Sequence, residues 1–221
     1  MSLPTRAVLD LQASLAAARD AVHLPLDVAA LVPGLAAMGL GDPIVLGSRA
    51  ADRGTYLRRP DLGRLPGSTE GLPSDGWDVG FVVADGLSSK AVSEHAVAMA
   101  AAVLDALGPD LSVAPPVLVT QARVAVGDWI GQAMNLGTVL VLIGERPGLS
   151  VADSLGIYLT HSPRPGRTDA ERNCISNIHP PEGLSYIAAA RTAAGLVRGA
   201  RALGRSGVDL KDVAGHAELG A

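Results

Sequence analysis

The chain has 221 residues, 48% of them hydrophobic, which is material for one large domain or for a small one joined to a medium one. Its 18 Lys and Arg stand against 22 Asp and Glu, a net charge of −4, so no overall positive field gathers nucleic acid or anionic lipid. Only 3% of the residues are aromatic, too few for the stacking platforms on which single-stranded nucleic acid is held.

The first helix is predicted over Ala7 to Val22, because Val8, Leu11, Leu15, Ala18 and Val22 recur at three- and four-residue spacing. Asp27 can cap a short second helix through Leu31, which Pro33-Gly34 should break. Such a unit is too small to stand alone and must pack on something else. Residues 41–76 change character. Five arginines (Arg49, Arg53, Arg58, Arg59, Arg64) alternate with Asp52 and Asp61, and prolines and glycines exclude long regular elements. This reads as an extended, charged connection, either a solvated linker with surface ion pairs or a contact surface for a partner. A domain boundary is placed late in it, dividing residues 1–70 from residues 71–221.

From Trp77 onward strand and helix alternate. Val79 to Ala84 is a buried strand, and Ser88 or Ser89 caps a helix to Leu107 whose buried stripe is Val92, Ala96, Met99, Val103 and Leu107. Strands follow at Pro116–Thr120 and Thr138–Ile143, with a fourth at Leu155–Thr160. Helices are expected at Val126–Met134 and Ser185–Arg205, and Ser206–Ala221 as a short helix or loose tail. The expected fold is α/β: a Rossmann-like, mainly parallel sheet with helices on both faces, preceded by a small helical N-terminal domain.

Three predicted strands end in polar turns: Asp85-Gly86-Leu87-Ser88, Gln121-Ala122-Arg123-Val124 and Gly144-Glu145-Arg146-Pro147-Gly148. In a parallel sheet such turns share one edge and can converge on a ligand. There is no phosphate loop of either common type, no nucleophile elbow around Ser88, and no metal-binding spacing among His95, His161 and His179. His95 reads as a surface or boundary residue on its helix. The single cysteine, Cys174, excludes an intramolecular disulfide and a Cys-rich zinc site, and points to a reducing, cytoplasmic compartment. A lone cysteine in an apolar context is read as buried and inert rather than as a nucleophile paired with His179. No apolar run reaches the ~18 residues that a membrane span needs. Arg191, Arg198, Arg201 and Arg205 share one broad helix face, read as solvated, with docking to an acidic partner as the alternative.

Beyond composition and pattern, several segments resemble the small (light) subunit of ethanolamine ammonia-lyase. They are Gly144-Glu145-Arg146-Pro147-Gly148-Leu149, Ser154-Leu155, Ser162-Pro163-Arg164 and Cys174-Ile175-Ser176-Asn177-Ile178-His179. Upstream, Tyr56-Leu57-Arg58-Arg59-Pro60-Asp61-Leu62-Gly63-Arg64, Asp85-Gly86-Leu87-Ser88, and Arg123-Val124 with Asp128 and Ile130-Gly131 are similar to the same family. The matches run in order from near residue 5 to residue 205. The resemblance implies a non-catalytic subunit of an adenosylcobalamin-dependent lyase that converts ethanolamine to acetaldehyde and ammonia by a radical route. It implies a large TIM-barrel subunit that binds ethanolamine and does the chemistry, in a hetero-oligomer. It carries cofactor contacts over to Val124, Glu145 and Cys174, with no catalytic and no metal-ligating residue on this chain. Family members often have a basic N-terminal extension associated with a protein-shelled microcompartment; here the first helix starts within a few residues of Met1, so the expected location is the cytoplasm. The competing readings are a stand-alone α/β small-ligand-binding protein and a purely structural subunit.

Overall fold

Four strands of near-continuous apolar sequence set the centre of the molecule, because such strands must be covered on both faces. The computed structural model describes residues 4–210. Six strands form one sheet in the order β1-β3-β2-β4-β5-β6: β1 Ile44–Gly47, β2 Val79–Ala84, β3 Val117–Thr120, β4 Thr138–Gly144, β5 Leu155–His161 and β6 Asn173–Ile178. β1 to β4 pair in parallel, with Phe81 opposite Leu140 and Val82 opposite Val117. β5 and β6 run antiparallel, with Tyr158 opposite Cys174. Six α-helices complete this mixed α/β fold: α1 Thr5–His23, α2 Val28–Ala36, α3 Arg53–Arg58, α4 Ser89–Leu107, α5 Val126–Ala133 and α6 Tyr186–Leu203.

The pleat sorts the core into two layers. Val79, Phe81, Val83, Leu140 and Leu142 pack on one face with Met99 and Val103 of α4 and Val197 of α6. Val82, Ala84, Val139, Val141 and Ile143 pack on the other with Val126 and Ile130 of α5. The stripe expected on α4 is buried throughout. Its cap is Ser88, whose hydroxyl accepts from Ala91 N at 3.1 Å. α6 is likewise capped by Ser185 and closed by Gly204 in the left-handed region at φ 72°.

Three expectations need correction. α2 does not stop at Pro33 but runs through it to Ala36: burial of Leu31 and Leu35 against α4 offsets the lost backbone bond. The charged connection contains β1 and α3, so part of it is an edge strand of the sheet. Within it Arg53 is buried rather than solvated. The apolar stripe of α1 is not covered by the described residues: Val8, Leu11 and Leu15 are exposed and only Ala21 of this helix is buried. The Ser206–Ala221 tail lies mostly outside the described residues. Among the described residues no helix is long and apolar enough to cross a membrane.

Candidate functional site

The strand-end turns meet as their order in the sheet requires. β2 lies between β3 and β4, so the turns after these three strands are neighbours. They line one open cavity of about 320 Å³, with Gly86 and Leu87 from the first turn, Arg123 and Val124 from the second, and Gly144 and Glu145 from the third. Tyr56 and Tyr158 close its sides. The first and third turns touch backbone to backbone. Leu87 N donates to Gly144 O at 2.9 Å. Gly86 has φ +58°, and a Cβ there would lie 2.2 Å from Gly144 O. Only glycine satisfies both conditions.

Asp85 and Ser88 turn away from the cavity and hold its wall. Asp85, 1% exposed, accepts from Gln121 N at 2.8 Å and from Ala122 N at 2.9 Å. These bonds fix Gln121 in the left-handed region, at φ 56°, an uncommon conformation for a side chain of its size. Arg53 reaches the same carboxylate at 3.4 Å, and donates to Gly86 O at 2.8 Å and to Val22 O. One guanidinium thus ties the end of α1 to the turn after β2. Burial pushes the Asp85 carboxyl above its usual range and the Arg53 guanidinium below its own, against the attraction between them. The Tyr56 ring lies between two cations, with the Arg53 and Arg123 guanidinium carbons 4.8 and 4.6 Å from its centroid. Burial raises the Tyr56 phenol to about 12, so it stays neutral.

A second buried pair supports the other side. Arg172 donates to both carboxylate oxygens of Asp128, at 2.7 and 2.6 Å, to Thr160 Oγ1 at 2.8 Å and to Arg167 O at 3.0 Å. It joins α5 to β5 and to the start of β6.

The residues singled out from the sequence fall in different places. Val124 and Glu145 are on the cavity. Glu145 follows β4 directly and is held by the returning segment: Oε2 accepts from Ser154 Oγ and from Asn177 N at 3.1 Å, while the Glu145 N–H donates to Ser154 O at 2.9 Å. Oε1 has no hydrogen bond among the described residues. Cys174 is not in the cavity lining and, contrary to expectation, is exposed. In the edge strand β6, Ile175 and Ile178 are buried and Cys174 is exposed; the three-residue step between the two isoleucines goes with an irregularity in the β5–β6 register and with Asn177 at φ 64°. Cys174 nevertheless sits opposite Tyr158, which lines the cavity. Local burial and the Glu145 carboxylate push its thiol up, against a contact from Tyr158, so it is not an activated nucleophile. The Tyr158 phenol is pushed to about 12, by burial first and then by Cys174. Sequence reasoning missed the supporting roles of Arg53, Tyr56 and Tyr158. A buried arginine in an arginine-rich stretch carries no signal of its own, and Asp85 looks like a turn residue. Two buried polar atoms at the β3 turn, Oε1 of Gln121 and Nε of Arg123, have no partner among the described residues.

A sequence profile of the family described as Ethanolamine ammonia-lyase light chain (EutC) matches residues 1–211. The chain belongs to the ethanolamine ammonia-lyase light-chain family. It is 59% identical to the ethanolamine ammonia-lyase small subunit of Rhodococcus erythropolis, over 96% of this chain and 82% of that protein. It is 50% identical to the small subunit of Ralstonia nicotianae, over 97% of this chain and 82% of the relative, and 51% identical to that of Azotobacter vinelandii, over 99% and 83%. The matched residues include every turn of the cavity and both buried ion pairs.

Proposed function

We infer that this chain is the small subunit of an ethanolamine ammonia-lyase, a carbon–nitrogen lyase, and that its strand-end cavity receives one edge of adenosylcobalamin against a larger partner subunit. The observation that carries this reading is the meeting of three strand-end turns on one open cavity in a chain of this family. The donor set suits the group. The corrin periphery carries primary amides, with both N–H donors and carbonyl acceptors. Oε1 of Glu145 can accept from such amides, and the guanidinium of Arg123 can donate. Val124 and Leu87 give apolar contact. A cavity of about 320 Å³ takes an edge of so large a cofactor, not the whole, which fits a group held between two chains.

Bound adenosylcobalamin supplies a cobalt–carbon bond that can be cleaved homolytically, and with it the radical chemistry on ethanolamine. This chain's residues bind and orient. Glu145, Val124 and Cys174 would hold the cofactor. Asp85 and Arg53 would keep the β3 turn in register, and the Asp128–Arg172 pair would keep α5 against β5 and β6. The substrate site and the reacting groups are assigned to the larger subunit, read as a TIM barrel, and the location to the cytoplasm. As architecture, β1–β4 are read as Rossmann-like and α1–α2 as a small helical N-terminal unit, with the division near residue 70.

The test is to co-express the chain with an ethanolamine ammonia-lyase large subunit and titrate cobalamin into each chain alone and into the pair. Tight uptake by the pair only, with lyase activity, supports the reading. A small subunit that adds nothing to cobalamin uptake reduces it to a structural role. A chain that ignores the large subunit and binds another metabolite overturns it.

A further inference from the structure

Away from the strand-end cavity, a second set of polar groups meets between α4 and the segment that returns from β4 to β5. His95 is 8% exposed, and its Nε2 is buried with no hydrogen-bond partner among the described residues. Its other nitrogen, Nδ1, lies 2.7 Å from the Tyr186 hydroxyl. With Tyr186 accepting from Nδ1–H, Nε2 carries a lone pair. Two carboxylates lie nearby. Nε2 is 4.0 Å from Glu94 Oε2, and one oxygen each of Glu94 and Asp153 lies with a ring nitrogen of His95 in a cluster whose atoms are all within 4.8 Å of one another. We propose that Glu94, His95 and Asp153 form a binding site for a divalent transition metal of the zinc type.

The donor chemistry selects the ion. One imidazole nitrogen with two carboxylates suits zinc and its neighbours, whereas calcium and magnesium favour all-oxygen shells. The Tyr186 contact is the outer-shell hydrogen bond that metal-bound imidazoles use to fix their tautomer and orientation. Burial lowers the pKa of His95, which keeps the ring in its neutral, ligating form. Glu94 is exposed, so its side chain is the donor that would swing inward to bring the set to zinc distances. Access is open, since Asp153 lines a cavity of about 500 Å³ between α1 and residues 148–153.

A resident cation already marks the site. Lys90 Nζ is 3.0 Å from Asp153 and 3.7 Å from Glu94. Its side chain is 43% exposed, so the pair is weak and a dication displaces it at little cost. His179, which lines the same cavity, also bears on His95 electrostatically, and its Nε2 lies 2.8 Å from Asn177 Oδ1. Residue spacing in the sequence could not disclose the set, because Asp153 is far along the chain from the adjacent Glu94 and His95.

The test measures Zn²⁺ affinity by competition with a chromophoric chelator, on the assembled two-subunit complex without cobalamin. One Zn²⁺ per small subunit is expected. His95→Gln and Asp153→Asn should each weaken it by about tenfold or more. Lys90→Gln removes the competing ammonium and should tighten binding by roughly threefold to fivefold. A misfolded variant cannot mimic that gain. Zinc binding that is equally tight in His95→Gln, or absent from both the wild type and Lys90→Gln, overturns the proposal and leaves a polar network.

Discussion

Two buried Asp–Arg pairs flank the strand-end cavity, and they are built differently. Asp128 and Arg172 meet head-on, with both carboxylate oxygens bonded to the guanidinium at 2.7 and 2.6 Å and both side chains 2% exposed. Asp85 spends its oxygens mainly on the backbone N–H groups of Gln121 and Ala122, and Arg53 stands off at 3.4 Å. The first pair clamps a helix to two strands. The second uses a carboxylate to shape a turn and an arginine to brace it. A buried pair is weak grounds for stability in itself, yet removing one partner leaves the other charge uncompensated. The two should therefore fail in different ways when broken.

The largest effect belongs to the clamp. Asp128→Ala strands the Arg172 guanidinium in the interior and should cost ~3–5 kcal/mol in denaturant unfolding. Asp85→Asn keeps the shape but replaces one acceptor by a donor, leaving a buried N–H unmet. It should cost ~1–3 kcal/mol and, unlike a purely stabilising residue, should also weaken cobalamin uptake by the folded complex. If Asp85→Asn lowered stability without touching uptake, the turn would not be part of the site.

The smallest effect is pH-dependent and lies at the exposed end of the clamp. Backbone and side-chain bonds from Thr168, with Arg167, lower Glu171 from 4.5 to about 2. A group lowered in the folded state stabilises it fully above its unfolded value and loses that contribution as the pH falls through the folded one. The stability difference between wild type and Glu171→Gln should therefore be flat above about pH 5 and vanish toward about pH 2. A difference that grew on acidification would contradict the assignment.

The same contrast explains what the sequence disclosed. The parallel strands were legible because β2, β3 and β4 are buried on both faces and read as apolar runs; so were the caps at Asp27 and Ser88. β6 was not legible: an edge strand shows the core only Ile175 and Ile178, so Asn173-Cys174 and Ser176-Asn177 look like loop. β1, four residues among arginines and prolines, is hidden for the same reason. The turns at the cavity were found from their polar residues and strand-end position. Their bracing was not, since Arg53 and Arg172 become interior only through contacts with residues 32 and 44 positions away. Cys174 came from family resemblance alone, and its outward-facing strand position corrects the expectation that it is buried. The α1 stripe was legible as apolar, and among the described residues nothing buries Val8, Leu11 or Leu15.

The central claim is that this chain grips the cofactor's edge through the cavity, and Glu145 tests it most directly. It lies on the cavity with one carboxylate oxygen held by Ser154 and Asn177 and the other without a hydrogen bond among the described residues. Cobalamin affinity should be measured by absorbance titration of the two-subunit complex, wild type against Glu145→Ala, with unfolding midpoints compared to confirm an intact fold. Loss of one charge-assisted hydrogen bond should weaken binding about tenfold, with Glu145→Gln falling between the two. A properly assembled Glu145→Ala complex that binds cobalamin as tightly as the wild type would contradict the account.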